Sequence, residues 1–476
     1  MKKLLSILMF GFLILLSACT PEETINKVTL DFPSNFSITE TIITFDDVEH
    51  AVRYRIEATN LSNQSIKRYY ITKNQDINDL YFIPGNYNIK IQAIGDGDLY
   101  LDSDYSASIQ YTQIDPFLVN SISEDFLADD ITIRWLGRTH YNETVKTNYF
   151  YFTASGFEVK FYGTSLEAEF VTGTNPLGKE PHLVVFIDGE TNPSSGTTII
   201  LDSGKKTYTI AAELAEGEHT VRVVKRSESI DSLTGLSKLT TDGHFLQADQ
   251  LRNRKIEVIA ASSSAGFGNL ASNTNEPKST QNSDGLRAYA YLTAHMFDAE
   301  LNIFSASGWP LLKGPWTGNN NIPTAYDYVN VNSNIVWSHN NYSPDVVIIN
   351  LGTNDWSYIS SLSAYDKIQA LENFEIAFVD FIKKINQLHP DAVIVIAYGL
   401  MNETNIYNST LNAVQDAQDE LPLVGIHSIQ LPGVNSIDGI GSSYHPSVAT
   451  HIKAADVLVE AISEWMNWDI VNDNIE

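Results

Sequence analysis

The sequence predicts a multidomain protein in which two all-β units precede an α/β domain built on a parallel sheet. The chain has 476 residues, which leaves room for about three domains of roughly 150 residues each. From residue 27 to about residue 247, short runs alternate apolar and polar side chains, as antiparallel strands do. After Arg252, apolar runs alternate with stretches of helical period, which is typical of a parallel sheet covered by helices on both faces.

The composition is that of a folded, acidic protein. Apolar residues make up 43% of the chain and charged residues 18%, so several cores can be filled. Lys and Arg number 30 against 58 Asp and Glu, which gives a net charge of −28. Such a charge repels phosphate backbones, so nucleic acid is excluded as a partner.

Residues 1–18 are predicted to be an export signal. Lys2 and Lys3 precede a mostly apolar run that is too short to span a membrane, and small residues follow it. The segment Leu16-Ser17-Ala18-Cys19 resembles the bacterial lipobox, which implies lipidation of Cys19 and a membrane anchor. We expect a lipid-anchored, extracytoplasmic protein of the bacterial cell envelope, at the outer membrane or cell surface. An ordinary signal with an incidental cysteine is the alternative.

Cys19 is the only cysteine. Because there is a single cysteine, the chain can form no internal disulfide and no metal site made of several cysteines. The sequence also holds no HExxH motif and no carboxylate-rich loop, so we expect neither a metal nor a cofactor. His451, close to His445, is interpreted as a packing residue because their spacing does not suit a helical metal pair.

The first β unit is predicted to span residues 27–113. The run from Tyr87 to Ala93 alternates strictly, and together with its neighbours resembles a fibronectin type III-like sandwich. We interpret this unit as a spacer, with glycan binding as the alternative. The second unit, residues 115–248, continues the strand pattern in runs such as Phe157 to Phe161 and His219 to Val224.

The third segment, residues 253–470, is predicted to hold the chemistry, because ligands of open α/β sheets bind beyond the carboxyl ends of the strands. Its predicted strands are Ile256 to Ala261, Leu301 to Ala306, Val346 to Leu351, Ala392 to Ala397 and Leu423 to Ile429. Its predicted helices are Leu286 to Phe297, Ala370 to Ile385 and Ile452 to Trp465.

Four residues that suit acyl transfer stand at the ends of these elements. Ser262 follows the first strand, Gly308 the second and Asn354 the third, and His445 precedes the last helix. A hydroxyl, a glycine amide, an asparagine amide and an imidazole can serve as nucleophile, oxyanion donors and general base.

The order of these blocks resembles that of the SGNH (GDSL) hydrolases, whose pattern covers residues 256–465. Its most specific part is Gly352-Thr353-Asn354-Asp355. When the second β unit is included, through stretches such as Gly137-Arg138-Thr139 and Lys225-Arg226-Ser227-Glu228, the chain resembles carbohydrate esterase family 2. The resemblance implies a β jelly-roll joined to a three-layer SGNH domain. It also implies removal of O-acetyl groups from acetylated polysaccharides or oligosaccharides.

Carried over residue by residue, the resemblance implies that Ser262 is the nucleophile, exposed at a turn that enters a helix. The oxyanion hole is then made by the amides of Ser262 and Gly308 and by the side chain of Asn354, and His445 is the general base. Asp355 is interpreted as a structural acceptor.

The chain departs from the family pattern in two respects, one before the nucleophile and one before the base. Ala261 stands where an aspartate usually braces the nucleophile loop, and Ser442 and Ser443 occupy the positions of the acid that orients the base. We therefore predict a Ser-His dyad in which a main-chain carbonyl holds the second imidazole nitrogen. Asp438, the nearest upstream carboxylate, is the alternative orienting group.

Tryptophans near the motif residues are candidates for stacking on sugar rings. Trp309 and Trp356 are the preferred ones, Trp316 and Trp337 are further candidates, and core packing is the alternative for each. Two other functions stay open: a glycan-binding protein on a decayed esterase scaffold, and a lipase or thioesterase of the wider SGNH group. The polysaccharide, the hydroxyl attacked, the membrane leaflet and the oligomeric state are not determined by the sequence.

Overall fold

The computed structural model describes residues 27–39, 41–62, 64–80, 82, 85–97, 99–113, 124–127, 133–248 and 252–472. The predicted signal segment and Cys19 lie outside the described residues. The chain divides into two compact units, Met1–Val119 and Asn120–Glu476. No helix in the described part of the chain has the length and apolar character needed to cross a membrane.

The first unit is built from short strands. The strands are β1 Val28–Thr29, β2 Ser37–Thr39, β3 Ile42–Thr44, β4 Arg53–Asn60, β5 Ile66–Ile71, β6 Gly85–Ile94, β7 Tyr100–Leu101 and β8 Ile109–Gln113. A four-stranded antiparallel sheet has the order β5-β4-β6-β8, β2 pairs with β3, and β1 pairs in parallel with β7. Alternate residues of β4 and β6, including Ile56, Ala58, Ile89 and Ile91, are buried in one core, which is the period-two pattern expected from the sequence.

The second unit begins with an all-β domain made of two antiparallel sheets. The strands are β9 Glu124–Leu127, β10 Arg134–Leu136, β11 Thr139–Asn142, β12 Thr147–Phe150, β13 Gly156–Gly163, β14 Leu166–Thr172, β15 His182–Ile187, β16 Thr197–Ile200, β17 Lys205–Ala211, β18 Gly217–Lys225, β19 Thr234–Thr241 and β20 His244–Leu246. One sheet has the order β10-β13-β18-β15-β16 with β20 beside β13, and the other has the order β11-β12-β19-β14-β17 with β9 beside β19.

The core of this β-domain lies between its sheets. Phe157, Val159 and Phe161 of β13 pack there against Ala168 and Phe170 of β14. In β13, β15 and the second half of β18, consecutive residues are buried, so this part of the first sheet is covered on both faces. The β-domain thus holds a sandwich core and also offers a second apolar face.

That second face packs against the α/β domain. Val184 and Phe186 of β15 and Val224 of β18 belong to one buried cluster with Leu292 and Leu301 of the following domain. Arg138 of the β-domain is fully buried between the rings of Phe304, Tyr326 and Trp337. The two domains therefore share a core within the unit Asn120–Glu476.

The elements of the α/β domain are β21 Lys255–Ala260, α1 Tyr289–Met296, β22 Glu300–Ser305, α2 Ile322–Ala325, β23 Val346–Asn350, α3 Thr353–Ile359, α4 Ala364–Leu388, β24 Val393–Tyr398, α5 Tyr407–Glu420, β25 Ile426–Gln430 and α6 Val448–Met466. The five strands form a fully parallel sheet of order β22-β21-β23-β24-β25. Each strand begins within three residues of its predicted start.

Helices cover both faces of this sheet. Residues of α1 and α6 pack on one face with Ile256, Val258 and Ile348, and residues of α4 and α5 pack on the other with Ile259 and Ile349. The strand order reverses at β21, which is flanked by β22 and β23. The carboxyl ends of these strands form the switch point where ligands of such sheets bind.

Candidate active site

Ser262 lies two residues after the end of β21, on the surface of a tight series of turns. Its carbonyl accepts the N–H groups of Ala265 and Phe267, both at 3.2 Å. The predicted helix after Ser262 is wrong: residues 261–270 form turns, and the next helical residues are Gly285–Arg287. No helix therefore begins at this serine.

Gly266 explains why the chain does not continue as a helix. Its φ is +70°, a conformation that L-residues with a side chain rarely adopt, and a methyl group there would lie 2.2 Å from the carbonyl oxygen of Asp284. The turn is packed closely against the segment that ends at Asp284, which leaves no room for a regular helix.

His445 reaches Ser262 from the loop before α6. Its Nε2 lies 2.7 Å from the Ser262 Oγ, within the range required of a nucleophile and its base. The two loops are joined directly, since Ser442 donates its N–H to the Gly268 carbonyl at 3.0 Å. The structure thus brings these predicted residues together across more than 180 positions of sequence.

The other ring nitrogen of His445 faces a main-chain carbonyl. Nδ1 lies 3.1 Å from the oxygen of Ser442, which also accepts the His445 N–H at 3.0 Å. Ser443 and Tyr444 complete this turn with φ of 51° and 64°, a left-handed conformation that costs side-chain-bearing residues about 1–3 kcal/mol each. With Nδ1–H donating to the Ser442 carbonyl, Nε2 is left free to accept a proton.

Asp438 does not contact His445. Its Oδ1 accepts from Lys453 at 2.5 Å and its Oδ2 accepts from Asn435 at 2.8 Å. The alternative in which Asp438 orients the base is therefore not supported by the geometry, and the carbonyl of Ser442 occupies that place.

The imidazole is partly enclosed. The Phe267 ring stacks on it, with ring centroids 4.1 Å apart and planes at 24°. Burial lowers the pKa of His445 below its ordinary value, although the main-chain contacts with Ser442 and Ser443 raise it. A lowered pKa keeps the ring neutral near pH 7, the form in which it accepts a proton.

Gly308 lies on the loop after β22, with a φ of +81° that favours glycine. Asn354 is the second residue of α3. It donates its side-chain Nδ2–H to the Trp309 carbonyl at 2.9 Å, which fixes this loop. Among the residues that the structure describes, none accepts the main-chain N–H of Ser262 or of Gly308. Both amides can therefore donate to a substrate oxygen.

Asp355 holds the loop that follows. Its carboxylate accepts the N–H groups of Leu311, Leu312 and Lys313 at 2.7–3.0 Å. Burial raises the pKa of Asp355 to about 6, while these three amides act in the opposite direction. The interpretation of Asp355 as a structural acceptor agrees with these contacts.

The tryptophans differ from the expected ranking. Trp309 is 7% exposed and packs in the core under the sheet, and Trp356 is partly buried against the same cluster. Trp316 is 66% exposed, and a methyl group at Gly308 would lie 3.5 Å from its ring. Tyr444, directly before His445, is 67% exposed and was not singled out from the sequence. The exposed rings beside the motif residues are thus Trp316 and Tyr444.

Over the described ranges, no group of three or more His, Cys, Asp or Glu side chains is arranged to hold a metal ion. His451 is buried, and its Nδ1 accepts the main-chain N–H of Tyr289 at 3.3 Å. This contact agrees with the interpretation of His451 as a packing residue.

Comparison with known families accounts for both domains of the second unit. The carbohydrate esterase 2 N-terminal model matches residues 135–248, and the GDSL-like lipase/acylhydrolase model matches residues 256–458. These two matches are consecutive. The chain is thus similar to a carbohydrate esterase 2 N-terminal domain followed by a GDSL-like hydrolase domain. We refer to residues 135–458 below as the esterase domain pair.

Curated relatives of the esterase domain pair are esterases. The cellulase/esterase CelE of Acetivibrio thermocellus is 28% identical over 326 residues, which cover 66% of this chain and 37% of that relative. The chain thus spans little more than a third of CelE. An acetylxylan esterase / glucomannan deacetylase of Cellvibrio japonicus is 26% identical, with 73% of this chain and 93% of the relative covered. These similarities group the chain with ester hydrolases.

Solved structures agree at the level of the fold. A family two carbohydrate esterase from Clostridium thermocellum, determined in complex with cellohexaose, is 25% identical with a TM-score of 0.63, covering 71% of this chain and 100% of that one. The acetyl xylan esterase Est2A of Butyrivibrio proteoclasticus has a TM-score of 0.65 at 20% identity, covering 73% and 100%. The esterase domain pair therefore has the fold of these enzymes.

Proposed function

We propose that the protein is a carbohydrate O-acetyl esterase that removes acetyl groups from polysaccharides or oligosaccharides through an acyl-enzyme at Ser262. The observation that carries this proposal is the 2.7 Å contact between the Ser262 Oγ and the His445 Nε2. The names of the relatives, acetylxylan esterase and glucomannan deacetylase, support the same substrate class.

In the first step, His445 Nε2 takes the Ser262 hydroxyl proton as the oxygen attacks the acetyl carbonyl carbon. The carbonyl oxygen becomes an oxyanion that accepts from the amides of Ser262 and Gly308 and from the second N–H of Asn354. The imidazolium then returns its proton to the departing sugar oxygen, leaving an acetyl ester on Ser262. A water molecule, activated by the same ring, releases acetate in the second half of the reaction.

The Ser442 carbonyl positions the His445 ring, as the acid of the family pattern, which is missing here, would do. It accepts from Nδ1 and fixes the ring so that Nε2 faces Ser262. A neutral carbonyl stabilises the imidazolium less than a carboxylate does. In a serine protease, replacing the acid by its amide costs about 10⁴ in rate, much of it through the wrong tautomer. A carbonyl acceptor selects the correct tautomer, so we expect a smaller loss of rate here than in that protease.

Trp316 and Tyr444 provide the surface on which a sugar would rest. Both rings are mostly exposed, and they flank the proposed oxyanion donor Gly308 and the proposed base His445 in sequence or in space. Aromatic rings present an apolar face of the right size to cover the C–H face of a sugar ring. This placement favours a carbohydrate ester over a small free ester.

The alternatives are less well supported. A decayed glycan-binding scaffold would not need a serine hydroxyl within hydrogen-bond distance of an imidazole whose second nitrogen is also held. A lipase or thioesterase would prefer a long acyl chain.

Anchoring to the cell envelope through Cys19 remains part of the proposal, on the basis of the lipobox-like segment.

The proposal is tested by acetate release from acetylated xylan, acetylated glucomannan and p-nitrophenyl acetate. Ser262→Ala should abolish acetate release, whereas Ser263→Ala, which removes a hydroxyl from the adjacent buried serine, should leave the enzyme active. If the wild-type enzyme is no faster than Ser262→Ala, the catalytic proposal fails. A preference for long-chain p-nitrophenyl esters over the acetate would favour the lipase alternative.

A further inference from the structure

One loop of the β-domain lies against the edge of the proposed active site. Residues 226–233 connect β18 to β19 and carry Glu228, whose side chain is 2% exposed. Lys225, at the end of β18, is fully buried beneath the loop. Its ammonium group donates to the carbonyls of Tyr151, Glu228 and Ser232, each at 2.9 Å. These three hydrogen bonds use all of the ammonium hydrogens. Two of them, to Glu228 and Ser232, hold the loop near its two ends.

Glu228 contacts the oxyanion loop directly. Its Oε2 accepts the main-chain N–H of Ser307 at 3.1 Å, one residue before Gly308. The neighbouring Ser229 donates its hydroxyl to the carbonyl of Ser305, the last residue of β22, at 3.0 Å. The loop of the β-domain therefore fixes the chain at the point where it leaves the strand and turns towards the site.

Lys278 forms an ion pair with Glu228, the residue that accepts from Ser307. Its Nζ lies 2.9 Å from the Glu228 Oε1 and also pairs with Asp231. Burial acts to raise the pKa of Glu228, but Lys278 and the Ser307 groups outweigh it and hold that pKa below its ordinary value. Lys278 further lies 5.6 Å above the Phe267 ring, the same ring that stacks on His445.

The peptide that bears the Gly308 N–H is thus fixed from both sides. Upstream, Ser307 is held by Glu228, and downstream the Trp309 carbonyl is held by the Asn354 side chain. Gly308 itself has a positive φ and no side chain to lock it. Because the direction of this N–H depends on its neighbours, losing either contact would leave it free to turn away from the oxyanion.

We propose that Glu228 is a positioning residue: by holding Ser307, it aims the Gly308 amide at the oxyanion, so that the β-domain completes the active site. This inference rests on the proposed function. Glu228 touches neither the substrate nor the reacting atoms, and its effect is exerted through the main chain.

The test compares three variants of the full chain. Glu228→Ala removes the acceptor of the Ser307 N–H, Glu228→Gln keeps an acceptor oxygen without the charge, and Asp231→Asn is the matched control. Asp231 is also buried beside Lys278 but makes no contact with Ser307. For p-nitrophenyl acetate we expect Glu228→Ala to lower kcat by about 10–100-fold, with KM within about threefold of wild type.

Glu228→Gln should recover part of that loss, and Asp231→Asn should keep kcat within about threefold of wild type even where its Tm falls. If Glu228→Ala keeps kcat within that range, or Asp231→Asn loses as much, the positioning role is refuted. If Glu228→Ala does not fold, the comparison of Glu228→Gln with Asp231→Asn decides, and equal kcat values refute the role. A wild-type enzyme no faster than Ser262→Ala overturns the proposed function itself, which is a distinct result.

Discussion

Asn354→Ala gives the most demanding check on the proposed oxyanion hole. The Asn354 side chain is 8% exposed, and one of its two Nδ2 hydrogens is donated to the Trp309 carbonyl at 2.9 Å. In the described part of the chain, no group accepts the second hydrogen. The variant therefore removes a donor to the oxyanion and, with it, the contact that fixes the loop carrying Gly308.

The expected size of the effect follows from these two losses. Removing one donor from an oxyanion hole costs about 10²–10³ in kcat, or about 2.7–4 kcal/mol. The Trp309 contact is an ordinary hydrogen bond, so its loss should destabilise the fold by only about 1 kcal/mol. We expect kcat and kcat/KM to fall together, because the interaction with the oxygen strengthens only in the transition state.

The assay is steady-state hydrolysis of p-nitrophenyl acetate, with thermal unfolding measured on the same preparations. Ser357→Ala serves as the control: it lies on α3 as well and loses only a hydroxyl bonded to the Thr353 carbonyl at 3.1 Å. A folded Asn354→Ala enzyme with kcat reduced by less than about fivefold would refute the role of Asn354 as a donor. An equal loss in Ser357→Ala would assign the effect to disturbance of α3.

Two further predictions concern the base. His445 must be neutral to accept the serine proton, and burial lowers its pKa below the ordinary value of 6.5. The acid limb of kcat/KM should therefore have its midpoint below pH 6.5, and a midpoint at or above 6.5 would contradict the assignment. Asp438→Asn should change kcat by no more than about twofold, since Asp438 contacts Lys453 and Asn435 but not His445. A loss approaching that of a broken catalytic triad, about 10⁴, would restore Asp438 as the orienting acid.

The parallel sheet could be predicted because its central strands are buried on both faces. Segments such as Val346 to Ile349 are unbroken apolar runs, which short exposed strands do not show. The long helices were found through their apolar stripes. Helix α5, Tyr407–Glu420, was missed because little besides Ala413, Val414 and Ala417 is apolar on its buried face.

The meeting of Ser262 and His445 was predictable only from the order of the motifs, since no local pattern joins residues so far apart. The local structure at Ser262 was predicted incorrectly. Small residues after a strand suggested the start of a helix, but Gly266 and Gly268 both adopt positive φ, and each is packed where a side chain would collide. Two glycines spaced so closely favour turns over a helix.

The contact that the β-domain makes beside Gly308 could not be predicted from the sequence, for a different reason. Lys225 and Glu228 were recognised as part of a family-like stretch, yet their effect depends on Ser307, which lies 79 positions beyond Glu228. Burying two lysines with two carboxylates costs desolvation energy, and apolar side chains of similar size often give equal or greater stability. Glu228, which accepts from the main chain next to Gly308, is therefore better explained by geometry at the proposed oxyanion hole than by stability. On this reasoning the β-domain is a structural part of the proposed catalytic site, and Arg138, Val184 and Phe186 join that domain to the α/β domain.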